Sequence, residues 1–516
     1  MSVTTAVVET AAACLDRARV ATRSAQYETA LEILDGCEDW PEHVRDEAIV
    51  LKADALGRHD AVSAIEWLSC IADAVTTPAG RFAYELASGK AFANVRNLDS
   101  ADACYAAAER LVSTDPNGQL TLAYHRSRLA WIKRAYDPDA DDVAASVSHP
   151  DPNIAMAALT TRAWHHGSLG NLPAQIADFR LALALLDLGA DTAFDVSVAS
   201  ITCHSLARVA FEIADAAAMA DVRERFNQIA WTDGVAVDRF QTLRAFGWDS
   251  FMRGRPGPAQ WSFKDARNCA PSTPWSIMAH LDRAFVARIA HNEAWALDEI
   301  AEADRLGHAI RWESTFGEER LALLTLAVLI APSNAARAQR YAAIYSSFGT
   351  DAVHPTLAIN GDRRAHAFAR YAQGRIDQVL GRDNAAVRAL SDAYGIFVDV
   401  RYAYQAAMAA TALGEVTGEP SWREKALMHA SAYPSCPLVA MAETSAREEM
   451  PMSATLSPLQ RQVARALCGG AETVEISRAL SRSLYTVERQ IAAVYDVFGV
   501  RTRAEFLASA RGLGLA

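Results

Sequence analysis

From about residue 8 to residue 430, apolar positions return at helical spacing and in pairs. An alanine-rich amphipathic stretch ends in a short polar turn, and a second stretch begins at once with small residues on one face. The clearest turns are Ser24–Tyr27 before Ala30 and Leu31, and Asn97–Asp99 before Ala101 and Tyr105. Others are Gly170–Pro173 before Ala174 and Ala177, Gly254–Gly257 before Ala259, and Gly381–Asn384 before Ala385 and Ala386. Weaker copies surround Arg58–Asp60, Ala214–Asp215 and His291–Glu293. Successive anchors lie about 33 to 43 residues apart, the length of a helix hairpin. No strand-like alternation intervenes, so the pattern predicts an all-α chain. One hairpin cannot bury its own apolar face, and stacked hairpins share a core, which predicts a curved superhelix.

The hairpin turn, the small residue after it and the period together resemble a degenerate tetratricopeptide array. Roughly eight to ten helix pairs would cover about four-fifths of the chain. Most copies lack several of that motif's large and small positions, and Asp115-Pro116-Asn117 is the best match to its terminal proline, closing a second helix. An irregular all-helical domain is the other reading of the same pattern.

Around Tyr433–Pro437 and Ala442–Ala454 proline and polar, acidic residues interrupt the pattern, predicting a last helix and a hinge near 450–453. This divides the chain into residues 1–450, a helical-repeat sensor or interaction region, and residues 451–516, a small helical domain. In the latter, Ser457, Pro458 and Gln460 supply an N-cap, a first-turn proline and a capping-box partner. The helix they open runs to Cys468 and stops at Gly469-Gly470. A second helix spans about Thr473 to Leu480, burying Ile476 and Leu480, and the turn Ser481–Ser483 follows. Ser483 caps a third helix whose Val487, Ile491, Val494 and Phe498 form one narrow apolar stripe ending at Gly499. Thr502 and Glu505 make a capping box for a fourth helix reaching about Arg511. Tyr485, Arg489, Ala492, Ala493 and Asp496 then face away from the core, with Glu488 and Gln490 on the flanks. A flat outer face with an arginine in its N-terminal half fits a major groove, although any amphipathic helix has a polar face.

The order Leu456-Ser457, Val463, Gly470, Glu475-Ile476, Leu480, Ser483, Thr486-Val487, Ile491, Gly499-Val500 and Arg503 resembles, without a gap, the LuxR-type helix-turn-helix family. The resemblance covers about 60 residues. It implies a four-helix DNA-binding domain whose third helix reads the major groove and whose fourth often mediates dimerisation. Carried onto this sequence, the DNA-facing positions are Arg478, Arg482, Tyr485, Thr486, Glu488, Arg489, Ala492 and Ala493, with Arg501 a further positive group. Arg503 stands at the family's usual arginine as a structural tie. Departures from the family pattern fall at Leu459, Gln460, Glu472, Glu488 and Gln490. Glu488 and Asp496 put negative charge where the family commonly presents positive charge to phosphates, which implies weaker or more salt-sensitive binding by the isolated domain. Glu488 has a second option, accepting a hydrogen bond from a cytosine amine.

Charge supports the division. From Leu456 onward eight arginines face five acids, a balance of +3; the whole chain carries −12, so the rest carries −15. DNA contact is therefore expected at the C-terminal end alone. At 516 residues, 51% hydrophobic and 22% charged, the chain is too long for one compact core and ordinary for a water-soluble protein. Eight cysteines, none in a C-x-x-C pair, read as small buried hydrophobes in a reducing cytoplasm. Neither a signal peptide nor a membrane span is expected; the longest apolar run, Leu321–Ile330, is half the necessary length. Ser88-Gly89-Lys90 lacks the rest of a phosphate loop, and Trp164-His165-His166 reads as helix packing or groove lining rather than a metal site. The cluster Arg126, Arg128, Lys133, Arg134 reads as a solvated face with an option on an anionic partner. No catalytic motif is present, so neither enzyme activity nor a cofactor or metal is expected. The sequence leads to a cytoplasmic DNA-binding transcriptional regulator. It would act as a homodimer on double-stranded DNA, with a protein, peptide or small-molecule signal in the repeat groove. The competing reading is a repeat scaffold or adaptor whose end domain no longer reads DNA.

Overall fold

The computed structural model describes residues 3–36, 40–112, 114–188, 194–289, 292–315, 317–348, 359–433, 436–437, 456–468, 471–480 and 482–510. The expected hinge at 450–453, the stop at Gly469-Gly470, Ser481, Arg511 and Cys37 lie outside those residues. Among the described residues every regular element is helical, and none of the helices is long and apolar enough to cross a membrane.

Eleven hairpins precede the last four helices among the described residues, against the eight to ten read from the sequence. The surplus comes from pairs with little amphipathic contrast. One has a second helix of only six residues, Asp141–Ser146; another begins with Leu321–Ile330, which is apolar all round. The turns share a mechanism. Two residues after the first helix, the backbone turns left-handed at Ala25, Arg96, Arg134, Gly170, Ala214, Gly254 and Gly381. There the next amide reaches back five residues, as from Asn97 to the Phe92 carbonyl at 3.0 Å and from Arg255 to Ser250 at 2.8 Å. The second helix is then capped at once, by Asn97, Asn171 and Asn292 through their side-chain oxygens.

Small residues set how closely the two helices of a hairpin approach. Gly89, Gly247 and Gly374 each face a bulky residue sixteen positions on: Tyr105, Phe263 and Leu390. A Cβ on these glycines would stand 2.3, 2.5 and 2.6 Å from those side chains. Twelve and nineteen positions after each glycine come alanines with no exposed surface: Ala101 and Ala108, Ala259 and Ala266, Ala386 and Ala393. Gly89 therefore belongs to a helix contact and not to a phosphate loop. Asp115-Pro116 opens a helix, with Asp115 capping and Pro116 in the first turn; it does not close the preceding one.

The chain divides into two compact units, Met1–Ala210 with Ala216–Arg239 and Pro355–Gly361, and the remainder. In the first unit the leading helices Val3–Arg23, Glu42–His59, Pro78–Asn94, Pro116–Ile132 and Pro152–Ser168 each pack on the next. That is the packing expected when hairpins share a core. Polar side chains on these helices are paired: Asp54 with Arg58 at 2.9 Å and Lys90 at 2.5 Å, and Arg58 with Asp195 at 2.7 Å. His165 is fully buried, its Nδ1 accepting from the Asp137 amide and its Nε2 facing the Ser127 carbonyl, each at 3.1 Å. Both ring nitrogens are thus used in packing. In the second unit Trp248 is surrounded by Phe211, Phe285 and Tyr404, and its indole donates to Asp282, which Arg244 holds with two bonds. The last four helices belong to this unit.

Candidate nucleic-acid interface

Four short helices close the chain: Pro458–Cys468, Thr473–Ala479, Leu484–Phe498 and Arg503–Ala510. Their starts follow from side chains that satisfy orphan amides. Ser457 and Gln460 exchange bonds, the Ser457 amide donating to Gln460 at 2.8 Å and the Gln460 amide to the serine hydroxyl at 3.2 Å. The Glu472 amide donates to Glu475 at 2.8 Å at the second helix. Ser483 Oγ accepts from the Thr486 amide at 3.2 Å at the third, and Thr502 from the Glu505 amide at 3.2 Å at the fourth. Amides of Arg501 and Thr502 in turn hold the Glu505 carboxyl below its ordinary pKa. Gly499 ends the third helix at φ 65°, a conformation costly for any residue with a side chain.

Leu456, Val463, Leu467, Ile476, Val487, Val494, Phe498, Val500 and Phe506 form the buried core of these helices, with Leu480 and Ile491 packed against it. The expected apolar stripe of the third helix thus points inward, with Ile491 less enclosed than its neighbours. The turn between the second and third helices is fastened by Ser477, whose Oγ donates to the Arg482 carbonyl at 2.6 Å while its own carbonyl accepts from the Arg482 amide. Arg503 reaches back to the Leu467 carbonyl at 3.2 Å and to Glu472 at 3.1 Å. It ties the fourth helix to the first and is occupied there.

The opposite face carries the residues singled out from the sequence. Tyr485 is 72% exposed, and Glu488, Arg489 and Ala492 are exposed beside it. Thr486 and Ala493 are half-buried, Thr486 because its hydroxyl meets Ser483 Oγ at 2.8 Å. Arg478, on the second helix, and Arg482, in the turn, are both exposed and both precede the third helix in sequence. Glu488 stands one position before Arg489 and is equally open to solvent, so the outward face is a mixed, not a uniformly positive, surface.

The C-terminal end of this face meets something the sequence did not signal. Asp496 Cβ lies 3.9 Å from the point where a Cβ on Gly257 would stand, at the start of helix Pro256–Asn268. The Trp295 ring comes within 3.6 Å of the same point on Gly499. Arg501 is near enough to Arg283 to add to the burial that already lowers the Arg283 pKa. Arg501 itself is exposed. Contacts of this range leave no periodic trace in a sequence.

Neither a protein-family model nor a curated protein matches the chain. Among solved structures it is similar to the crystal structure of a Rap protein complexed with competence and sporulation factor. That match has 10% identity and a TM-score of 0.37 over 81% of this chain and 99% of the other. A likeness of that degree carries no argument about this chain.

Proposed function

We propose that the chain is a DNA-binding transcriptional regulator whose third end helix, Leu484–Phe498, enters the major groove under control of the repeat region. The observation that carries this reading is the exposed stripe Tyr485, Arg489 and Ala492 opposite a buried apolar stripe, on a helix capped at both ends within its own small core. A flat outer face allows close approach, Arg489 supplies a forked donor for a guanine edge or a phosphate, and Arg478 and Arg482 serve the flanking phosphates. The LuxR-type resemblance of residues 456–516 supports the same assignment and the fourth helix as a dimer contact. The regulator would work in the cytoplasm without a catalytic step. Its signal, a protein, peptide or small molecule, would be held on the repeat's leading helices, where Asp54, Arg58, Lys90 and Asp195 form a connected charged group.

The test is a footprint of the full-length protein on the region upstream of its own gene at low salt. Protection of a short, discrete site is the expected result. Absence of protection favours the second reading, a repeat scaffold whose end module no longer reads DNA. That reading has one observation in its favour: the Glu488 and Asp496 carboxylates both stand exposed on the helix that would have to enter a polyanion.

A further inference from the structure

We propose that the contact between the third end helix and the repeat helices is a DNA-closed state, released when the regulator is switched on; this rests on the DNA-binding reading. The outward stripe runs Tyr485, Arg489, Ala492, Asp496, and its last member abuts the start of helix Pro256–Asn268. Seven residues separate Asp496 from Arg489, or about 10 Å along a helix axis. A major groove is about 12 Å wide and 8.5 Å deep, walled by phosphates on both sides. With a repeat helix against one end of the stripe, helix Pro256–Asn268 would stand where one of those walls must lie if Arg489 is to reach a base.

The dock is built to hold and also to let go. Trp295, which supports Gly499, is fixed by its indole bond to Glu299 at 2.9 Å and by the Arg283 guanidinium 5.4 Å over its ring. Glu299 in turn meets His280 Nδ1 at 2.5 Å and Arg283 at 2.8 Å. Against this rigid support stands a repulsion, since Arg501 approaches Arg283 with like charge. Gly257 and Gly499, which have no side chains of their own, stand at the two closest approaches described, to Asp496 and to Trp295. A contact opposed by two like charges is the kind that a modest change in the repeat can open.

The geometry supplies its own test. A separation of 3.9 Å between Cβ positions at 257 and 496 suits a disulfide, and among the described residues a Cβ on Gly257 meets only Asp496 within 4 Å. The full-length double variant Gly257→Cys, Asp496→Cys is oxidised, and the cross-link is read by peptide mass. Retention of a mixed-sequence 20-bp duplex at low salt is compared in the oxidised and reduced forms of that same protein. The expected result is a cross-link absent from either single variant, with retention reduced at least tenfold and restored by reductant. Trp295→Ala in the otherwise unaltered chain should raise retention severalfold. Failure of the cross-link to form overturns the dock, and equal retention by both redox forms overturns its regulatory meaning. A cross-link formed efficiently while no form, Trp295→Ala included, retains duplex leaves the dock in place but removes the DNA reading, and the inference with it.

Discussion

Arg489 and Glu488 are neighbours on one exposed face, and their opposite charges make separate predictions. Arg489 is the one long cation on the outward stripe of the third end helix, so Arg489→Ala should cost about 1–3 kcal/mol of specific duplex binding. Arg305→Ala, an equally exposed arginine that pairs only locally with Glu302, should change it little. Equal losses in an anisotropy titration would contradict the groove assignment. Glu488→Lys should tighten binding to all duplexes and steepen the salt dependence by about one unit of slope if residue 488 lies by a phosphate. If Glu488 accepts from cytosine, the same change should instead erase discrimination at one base pair, which a panel of single-base variants would reveal. At this scale much was legible. Ser457 with Gln460, Ser483, and Thr502 with Glu505 stand at helix starts by the same few hydrogen bonds that make such residues recognisable in sequence. Glu472 was not so readable: as a long side chain at a position usual for Ser or Thr it looked like a defect. In place it receives Arg503, while its amide is held by Glu475.

Hairpins show what a periodicity reading catches and what it passes over. Their turns were legible where glycine marks them, at Gly170, Gly254 and Gly381, and where a polar residue and a small one follow, after Ala25 and Arg96; they were faint at Ala214 and passed over at Arg134, which take the same left-handed conformation. An alanine there costs about 1–2 kcal/mol in backbone strain, part of which glycine's extra unfolded-state freedom would offset. Ala214→Gly should therefore stabilise the protein by about 0.5–1 kcal/mol, seen as a higher midpoint in urea. Inside a hairpin the sign reverses. Gly247→Ala would set a methyl 2.5 Å from the Phe263 ring, and either helix or ring must move, at a cost of about 1–3 kcal/mol. Should Gly247→Ala leave the urea midpoint unchanged, the close approach there is not a constraint. The recurring offsets of twelve, sixteen and nineteen positions after Gly89, Gly247 and Gly374 were present in the sequence all along. The alanine at twelve was read as the small residue after each turn, but the glycine before it and the partners at sixteen and nineteen were not, because hydrophobic periodicity weights large residues and the feature of such a glycine is the absence of side-chain volume.

For the whole molecule, acid is the condition that tests how the buried charges were placed. The leading helices of the first unit enclose His125, whose Nδ1 has no hydrogen-bond partner among the described residues. Burial, then the cations Lys90 and Arg128, push its pKa down to about 3, with Asp54 opposing weakly. Tyr105 and Tyr124 pack on its ring. In the unfolded chain the same imidazole titrates near 6.5. Below that pH the unfolded state takes up a proton that the folded state refuses, so stability is intact above pH 6.5 and is lost progressively as pH falls toward 3. By pH 4 the loss is about 3 kcal/mol. Asp54, held well below the ordinary carboxylate range by Arg58 and Lys90 against the penalty of burial, adds a second loss that begins only near its unfolded pKa, about pH 4. The two groups therefore act in successive windows. Periodicity could place His125 on a leading helix but could not show that two cations would close around it, because Lys90 and Arg128 come from different hairpins. His125→Gln should remove its own share of the upper window: from pH 6.5 to about 4.5 the urea midpoint of the full-length variant should fall less steeply than that of the unaltered protein, the remaining slope belonging to His165 and His429, whose pKa values burial also lowers, and both proteins should fall below that as Asp54 is protonated. Parallel decline of the two proteins from pH 6.5 would show that the neutral imidazole is not what the acid attacks.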